Sequence, residues 1–250
     1  MSVEKFNNPY KFEDFKPLAN DSSLSKYQKI GFPDEYRSGK EEAIFNDIVG
    51  KLKFQKEEGK IFLDIGPGCS DLPNMIHDLC EKNGYEILLV DSQEMLDLLP
   101  QRSNTKRYAG RFPDDVFELI SNYPAGVDYI LTYSTLLCIF YDSCIYKFID
   151  AAVSLLKPGG RFLIGDVPNI SKRKRFFSSE NGKQFHKEFM KTDEDPQVQH
   201  GQLEIRQIDD GVISGILQRY RGFGFDTYLL PQNEGLPFAN RREDILIVRN

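Results

Sequence analysis

The sequence predicts an α/β fold: a seven-stranded, mostly parallel, doubly wound sheet whose C-terminal strands form an antiparallel hairpin. Three observations lead there. Short apolar runs alternate with amphipathic helical stretches between residues 41 and 166, the pattern of repeated βαβ units. The first run ends in the glycine turn Gly66-Pro67-Gly68, where a strand passes into a helix. The last two runs, 224–230 and 244–249, are joined by a loop rich in Pro, Gly and Asn. That loop has no room for the crossover helix that a parallel pair needs.

Element by element, residues 1–38 hold no period and are rich in Asn, Pro, Ser and Tyr, so they read as an irregular N-terminal lid before a domain spanning 39–250. Over 41–53, Ile44, Phe45, Ile48, Val49 and Leu52 share one helical face. Residues 60–66 form a short apolar run closed by glycine, the mark of a buried parallel strand. A helix follows over 71–82 and stops at Asn83-Gly84. Residues 86–91 are a second buried strand ending in Asp91. A short third strand is expected at 107–109, a helix at 114–122 and a fourth strand at 127–132. Residues 143–156 place Ile145, Phe148, Ile149, Ala152, Val153 and Leu156 at helical spacing. The tight turn Lys157-Pro158-Gly159-Gly160 leads into a fifth strand at 161–165. Residues 170–207 are polar and without a clear period, an insertion ahead of a helix at 209–221 and the final hairpin.

Composition narrows the function classes. The 250 residues carry a formal net charge of -6, with 40% hydrophobic and 28% charged residues, ordinary for a globular chain. Basic and acidic residues are interspersed except at Lys172-Arg173-Lys174-Arg175. That run is too short to displace counterions along a nucleic acid, so no nucleic-acid partner is expected. The four cysteines form no CxxC pair and stand at no metal-ligand spacing; free thiols in a reducing compartment and no metal site are the expectation. Residues 1–20 contain no apolar signal region, and no stretch approaches 18 apolar residues, so a cytoplasmic chain without a membrane span is expected.

Two features carry chemistry. In Asp64-Ile65-Gly66-Pro67-Gly68-Cys69-Ser70, glycines let backbone approach a ligand, and the helix that follows presents unpaired N–H groups. Asp91, 27 residues after Asp64 at the end of the second strand, can accept both hydroxyls of a ribose. Singly, the first is also a tight connection and the second an ordinary helix cap. Together they point to a nucleotide-type site.

These segments, with Asp128-Tyr129-Ile130-Leu131 and the Leu155-Leu156-Lys157-Pro158-Gly159-Gly160-Arg161-Phe162 turn, resemble the successive motifs of class I S-adenosylmethionine-dependent methyltransferases. The resemblance covers residues 41–166 and 209–249. Ser70 stands where that family usually has a third glycine. The resemblance implies that backbone at Gly66, Pro67 and Gly68, with Asp64 behind it, holds the methionine end of S-adenosylmethionine, and that the product is S-adenosylhomocysteine. It implies that Asp91 binds the ribose, that Ser92 lies beside the adenine, that Gly110, Arg111 and Phe112 contact the adenine, and that Tyr133 and Ser134 lie near the sulfonium. Arg37 is placed to pair with the methionine carboxylate or else to lie in solvent. The acceptor would be a small molecule with an oxygen or nitrogen nucleophile, such as a sugar-linked, phosphorylated or phosphoramidate-type compound of surface-polysaccharide or secondary metabolism, covered by 170–207. For a base, His200 and Asp166 stand in or beside that insertion, against the plainer readings of a surface histidine and a turn aspartate. His77 reads as structural. The basic run is either a solvated face or an attractor for an anionic acceptor. Two competing readings remain: a nicotinamide-dependent oxidoreductase, against which the C-terminal hairpin and the incomplete GxGxxG pattern speak, and a non-catalytic S-adenosylmethionine-binding module.

Overall fold

A computed structural model describes residues 11–202 and 204–250. Three short helices open it: α1 (Phe12–Asn20), α2 (Lys26–Lys29) and α3 (Asp34–Arg37). Then α4 (Glu41–Leu52), β1 (Ile61–Ile65), α5 (Asp71–Lys82), β2 (Glu86–Asp91), α6 (Gln93–Leu96), β3 (Thr105–Ala109), α7 (Phe117–Asn122) and β4 (Val127–Tyr133) alternate. After α8 (Leu136–Asp142) and α9 (Ile145–Leu155) comes the long β5 (Leu156–Pro168). The C-terminal part holds α10 (Ile170–Ser178), α11 (Glu180–Met190), α12 (Asp210–Gly222), β6 (Phe225–Pro231), a 3-10 turn (Ala239–Arg241) and β7 (Arg242–Arg249).

The seven strands form one sheet in the order β3-β2-β1-β4-β5-β7-β6. Strands β1 to β5 pair in parallel, with Leu63 level with Leu88 on one side and Ile130 on the other. β7 runs antiparallel to both β5 and β6, as the short loop before it requires.

Strand side chains alternate between faces, and the two cores follow that alternation. Leu63, Leu88, Ile130, Phe162 and Ile247 face α9 and α12. Their neighbours Phe62, Leu89, Leu131, Leu163 and Leu246 face α4 and α5. Each of these side chains is at most 4% exposed, and full burial of one contributes about 1.5–3 kcal/mol. Helices therefore cover both faces.

Two segments hold helices that the sequence did not reveal, 1–38, read as irregular, and 170–207, read as without a clear period. Within 1–38 the described part is largely helical, and residues 1–10 lie outside the described residues. Within 170–207 stand two capped helices. Asn169 Oδ1 accepts from the Lys172 N–H at 3.1 Å, and Ser179 Oγ accepts from the Gly182 N–H at 3.1 Å. Their period was hidden because the buried face is narrow: Phe177 and Gly182 are the buried residues of two helices otherwise rich in charge. Gly182 lets the pair close, since a Cβ there would lie 1.9 Å from the Phe176 carbonyl oxygen. Among the described residues no helix is long and apolar enough to cross a membrane.

Candidate functional site

The strand order reverses between β1 and β4, and crevices in open α/β sheets form at the carboxyl ends of strands at that point. Here such a crevice encloses about 160 Å³. Its base is the turn after β1. Gly66 (φ 74°) and Gly68 (φ 66°) both take left-handed conformations that side chains disfavour. A Cβ on Gly66 would lie 2.7 Å from Thr135 Cγ2, and one on Gly68 2.6 Å from Ile30 Cγ2. Gly66 N–H donates to the Val90 carbonyl at 2.8 Å, which ties the turn to β2.

Asp91 ends β2 against this turn. Its Oδ2 accepts from the Gly68 N–H at 3.1 Å and its Oδ1 from the Ser92 N–H at 2.7 Å. Burial nevertheless raises its carboxyl to about 6, with those two N–H groups pulling the other way. Asp64 is 3% exposed; burial raises its carboxyl too, and His77 Nε2 at 3.4 Å opposes the shift. His77 is thus the inner neighbour of Asp64, on the buried face of α5.

The far wall comes from the ends of β3 and β4. Arg111 forms an ion pair with Asp142 at 3.0 Å, and its N–H donates to Asp115 at 2.9 Å. Phe112 meets Phe148 edge-on at 5.3 Å. Tyr133 and Ser134 close the end of β4. The roof is N-terminal: Phe12 and Phe15 of α1, then Ile30, Phe32 and Arg37. The Arg37 guanidinium lies 4.3 Å from the centre of the Phe32 ring and 5.5 Å from that of Tyr133.

Arg37 is 4% exposed and is anchored by Asp166 at 3.2 Å and by the Ser134 hydroxyl. Both anchors have left-handed backbones, Ser134 at φ 62° and Asp166 at φ 60°. The β5–β7 ladder breaks between Ile164 and Val167, and this irregularity re-aims Asp166. Asp166 also pairs with Arg242 and accepts from the Ser134 hydroxyl and from Gln232 at 3.4 Å. Its N–H donates to Asp244 Oδ1 at 2.8 Å.

Of the residues singled out in the sequence, Arg37, Asp64, Gly66, Pro67, Gly68, Asp91, Gly110, Arg111, Phe112, Tyr133 and Ser134 line the crevice together. Three do not. Ser92 is buried beneath it, and its hydroxyl caps α6 by accepting from the Met95 N–H. Met95 itself lines the crevice. Asp166 stands behind Arg37 as its counter-ion. His200 is exposed, its Nε2 2.9 Å from the Ser178 hydroxyl, away from the lining. Sequence reasoning missed Phe12, Phe15, Ile30, Thr135 and Cys138 among the lining residues. The three-residue spacing of Phe12 and Phe15 was a readable helical signal; nothing local marks Ile30. Among the described residues no cluster of His, Cys, Asp and Glu is arranged to hold a metal ion.

No family model matches this sequence, and no curated protein does. Solved structures do. A Haloferax volcanii chain solved in complex with the Trm112 methyltransferase activator is 13% identical, with 95% of this chain and 98% of that one covered at a TM-score of 0.55. An S-adenosylmethionine-dependent methyltransferase from Aquifex aeolicus is 13% identical, with 90% and 97% covered at 0.52. The plantazolicin methyltransferase BpumL, solved with S-adenosylhomocysteine, is 12% identical, with 96% of each chain covered at 0.54. The fold is therefore the class I methyltransferase fold.

Proposed function

We propose that this chain is an S-adenosylmethionine-dependent methyltransferase whose acceptor is a small molecule with an oxygen or nitrogen nucleophile. One observation carries the reading: Gly66, Gly68, Asp91, Gly110 to Phe112, Tyr133 and Ser134, drawn from four strand ends, face a single crevice. The antiparallel β7 favours this over a nicotinamide-dependent oxidoreductase.

The residues suit the donor. Thr135 and Ile30 pack so close to Gly66 and Gly68 that a Cβ would collide with them, and the side-chain-free turn lets backbone approach the methionine portion. Asp91, with its carboxylate already braced by two N–H groups, accepts the ribose hydroxyls. Arg37 uses Nη2 for Ser134 and Asp166. Its remaining N–H edge suits the methionine carboxylate. Phe32 and Tyr133 present aromatic faces that favour a nearby cation. When bound, the donor supplies a methyl carbon activated by its sulfonium charge. The protein's contribution is then to align an acceptor lone pair with that carbon and to exclude water. Asp166 serves as a positioning residue, fixing Arg37 and Ser134.

Thermal unfolding with ligands tests the reading. S-adenosylhomocysteine should raise the melting temperature, because a ligand bound only by the native state stabilises it, and NADH should not. Asp91→Ala removes charge-assisted hydrogen bonds to the ribose and should weaken binding by about tenfold or more. A parent protein that answers to NADH and ignores S-adenosylhomocysteine contradicts the proposal.

A further inference from the structure

Lys172-Arg173-Lys174-Arg175 lies on α10, and three of its four charges are answered. Lys172 donates to the Arg242 carbonyl at 2.8 Å and lies 3.8 Å from Glu243. Lys174 pairs with Glu204 at 2.9 Å, and Arg175 pairs with Asp210. Arg173 is different: its guanidinium sits 5.4 Å from the centre of the Phe177 ring. A second guanidinium meets the same ring. Arg241, at the end of the 3-10 turn, lies 5.5 Å from Phe177, 5.9 Å from Phe185 and 4.4 Å from Phe238. Among the described residues neither Arg173 nor Arg241 has a carboxylate at ion-pair distance.

Arg173 is exposed and Arg241 half-buried, and their two like charges share the Phe177 ring, so an anion between them would relieve their repulsion. Burial, together with Arg173 and Arg242, pushes the Arg241 guanidinium down to about 10, which still leaves it charged at neutral pH. The cluster connects to the crevice through Phe238, Arg242 and Phe32. Phe238 packs edge-on against Tyr36 at 4.7 Å and lies 5.1 Å from the Arg242 guanidinium. Arg242 and Arg37 both lie against Phe32, which lines the crevice.

We propose that Arg173 and Arg241 form a subsite for a tetrahedral oxyanion, a phosphoryl group carried by the methyl acceptor, with Phe177, Phe185 and Phe238 as its apolar wall. Two guanidinium forks match a dianion with several acceptor oxygens, whereas one fork already satisfies a carboxylate. That the oxyanion belongs to a methyl acceptor rests on the reading of the crevice above; the anion subsite itself does not.

Inorganic phosphate is the probe, titrated into the full chain against sodium chloride of equal ionic strength. Melting temperature reports binding, and S-adenosylhomocysteine serves as a parallel ligand. Phosphate should raise the melting temperature of the parent beyond the chloride control. Arg173→Gln, on the exposed helix face, and Arg241→Gln should each weaken phosphate about tenfold while keeping the S-adenosylhomocysteine response. Arg241→Lys should recover part of the phosphate response. A parent that ignores phosphate, or variants that answer to it as the parent does, overturns the subsite. If S-adenosylhomocysteine fails while phosphate binding tracks Arg173 and Arg241, the donor reading falls and the subsite stands.

Discussion

Asp91 joins two opposing demands. Its carboxylate must be ionised to accept ribose hydroxyls, yet burial raises it to about 6. Affinity for S-adenosylhomocysteine should therefore be constant near neutrality and fall as pH drops through about 6, and calorimetry in a pH series should give a flat profile for Asp91→Asn. The ligand-free fold responds with the opposite sign. The folded carboxyl keeps its proton up to about 6, while the unfolded one releases it near the ordinary value of about 4. Its stability contribution is thus fullest below about 4 and is lost as pH rises through 6. Gly68 makes a second residue-level case. Gly68→Ala adds a Cβ 2.6 Å from Ile30 at a left-handed φ. A loss of about 1–3 kcal/mol is expected, read as a fall of several degrees in melting temperature. Gly66, Gly68 and Asp91 were legible in the sequence because special backbone and a strand-end acid leave local marks. The anchoring of Arg37 by Asp166, 129 positions away, leaves none.

The roof of the crevice is built by elements that composition disguised. α1 turns Phe12 and Phe15 inward from among Glu13, Asp14 and Lys16, and the Phe12 N–H donates to Asp142 at 3.3 Å. The joint variant Phe12→Ala, Phe15→Ala should weaken S-adenosylhomocysteine by about thirtyfold, since each substitution removes roughly 1 kcal/mol of apolar contact. The same variant should leave the unfolding transition cooperative, because neither side chain belongs to the two cores around the sheet. The helices within 170–207 left no clear period for a related reason. α10 and α11 bury their aromatic residues mainly against one another, so neither shows a broad apolar stripe.

Across the whole molecule, the sheet was the most readable feature. Parallel strands buried on both faces appear as short, mostly apolar runs, as β1, β2, β4 and the second half of β5 do. The antiparallel end followed from loop length alone. Strand order was not readable, because pairing β1 with both β2 and β4 is a long-range choice. β7 is a keystone of that order, wedged between β5 and β6. Ile247→Ala, at a fully buried position on β7, should cost about 2–5 kcal/mol, a fall of roughly 5–15 °C in melting temperature. The most direct measurement is a crystal structure of the protein with S-adenosylhomocysteine. The methionine portion should lie along Gly66 to Gly68 with its carboxylate on Arg37, both ribose hydroxyls on Asp91 and the adenine against Gly110 to Phe112. Adenosine bound elsewhere, or a crevice filled by the protein's own side chains, contradicts the account.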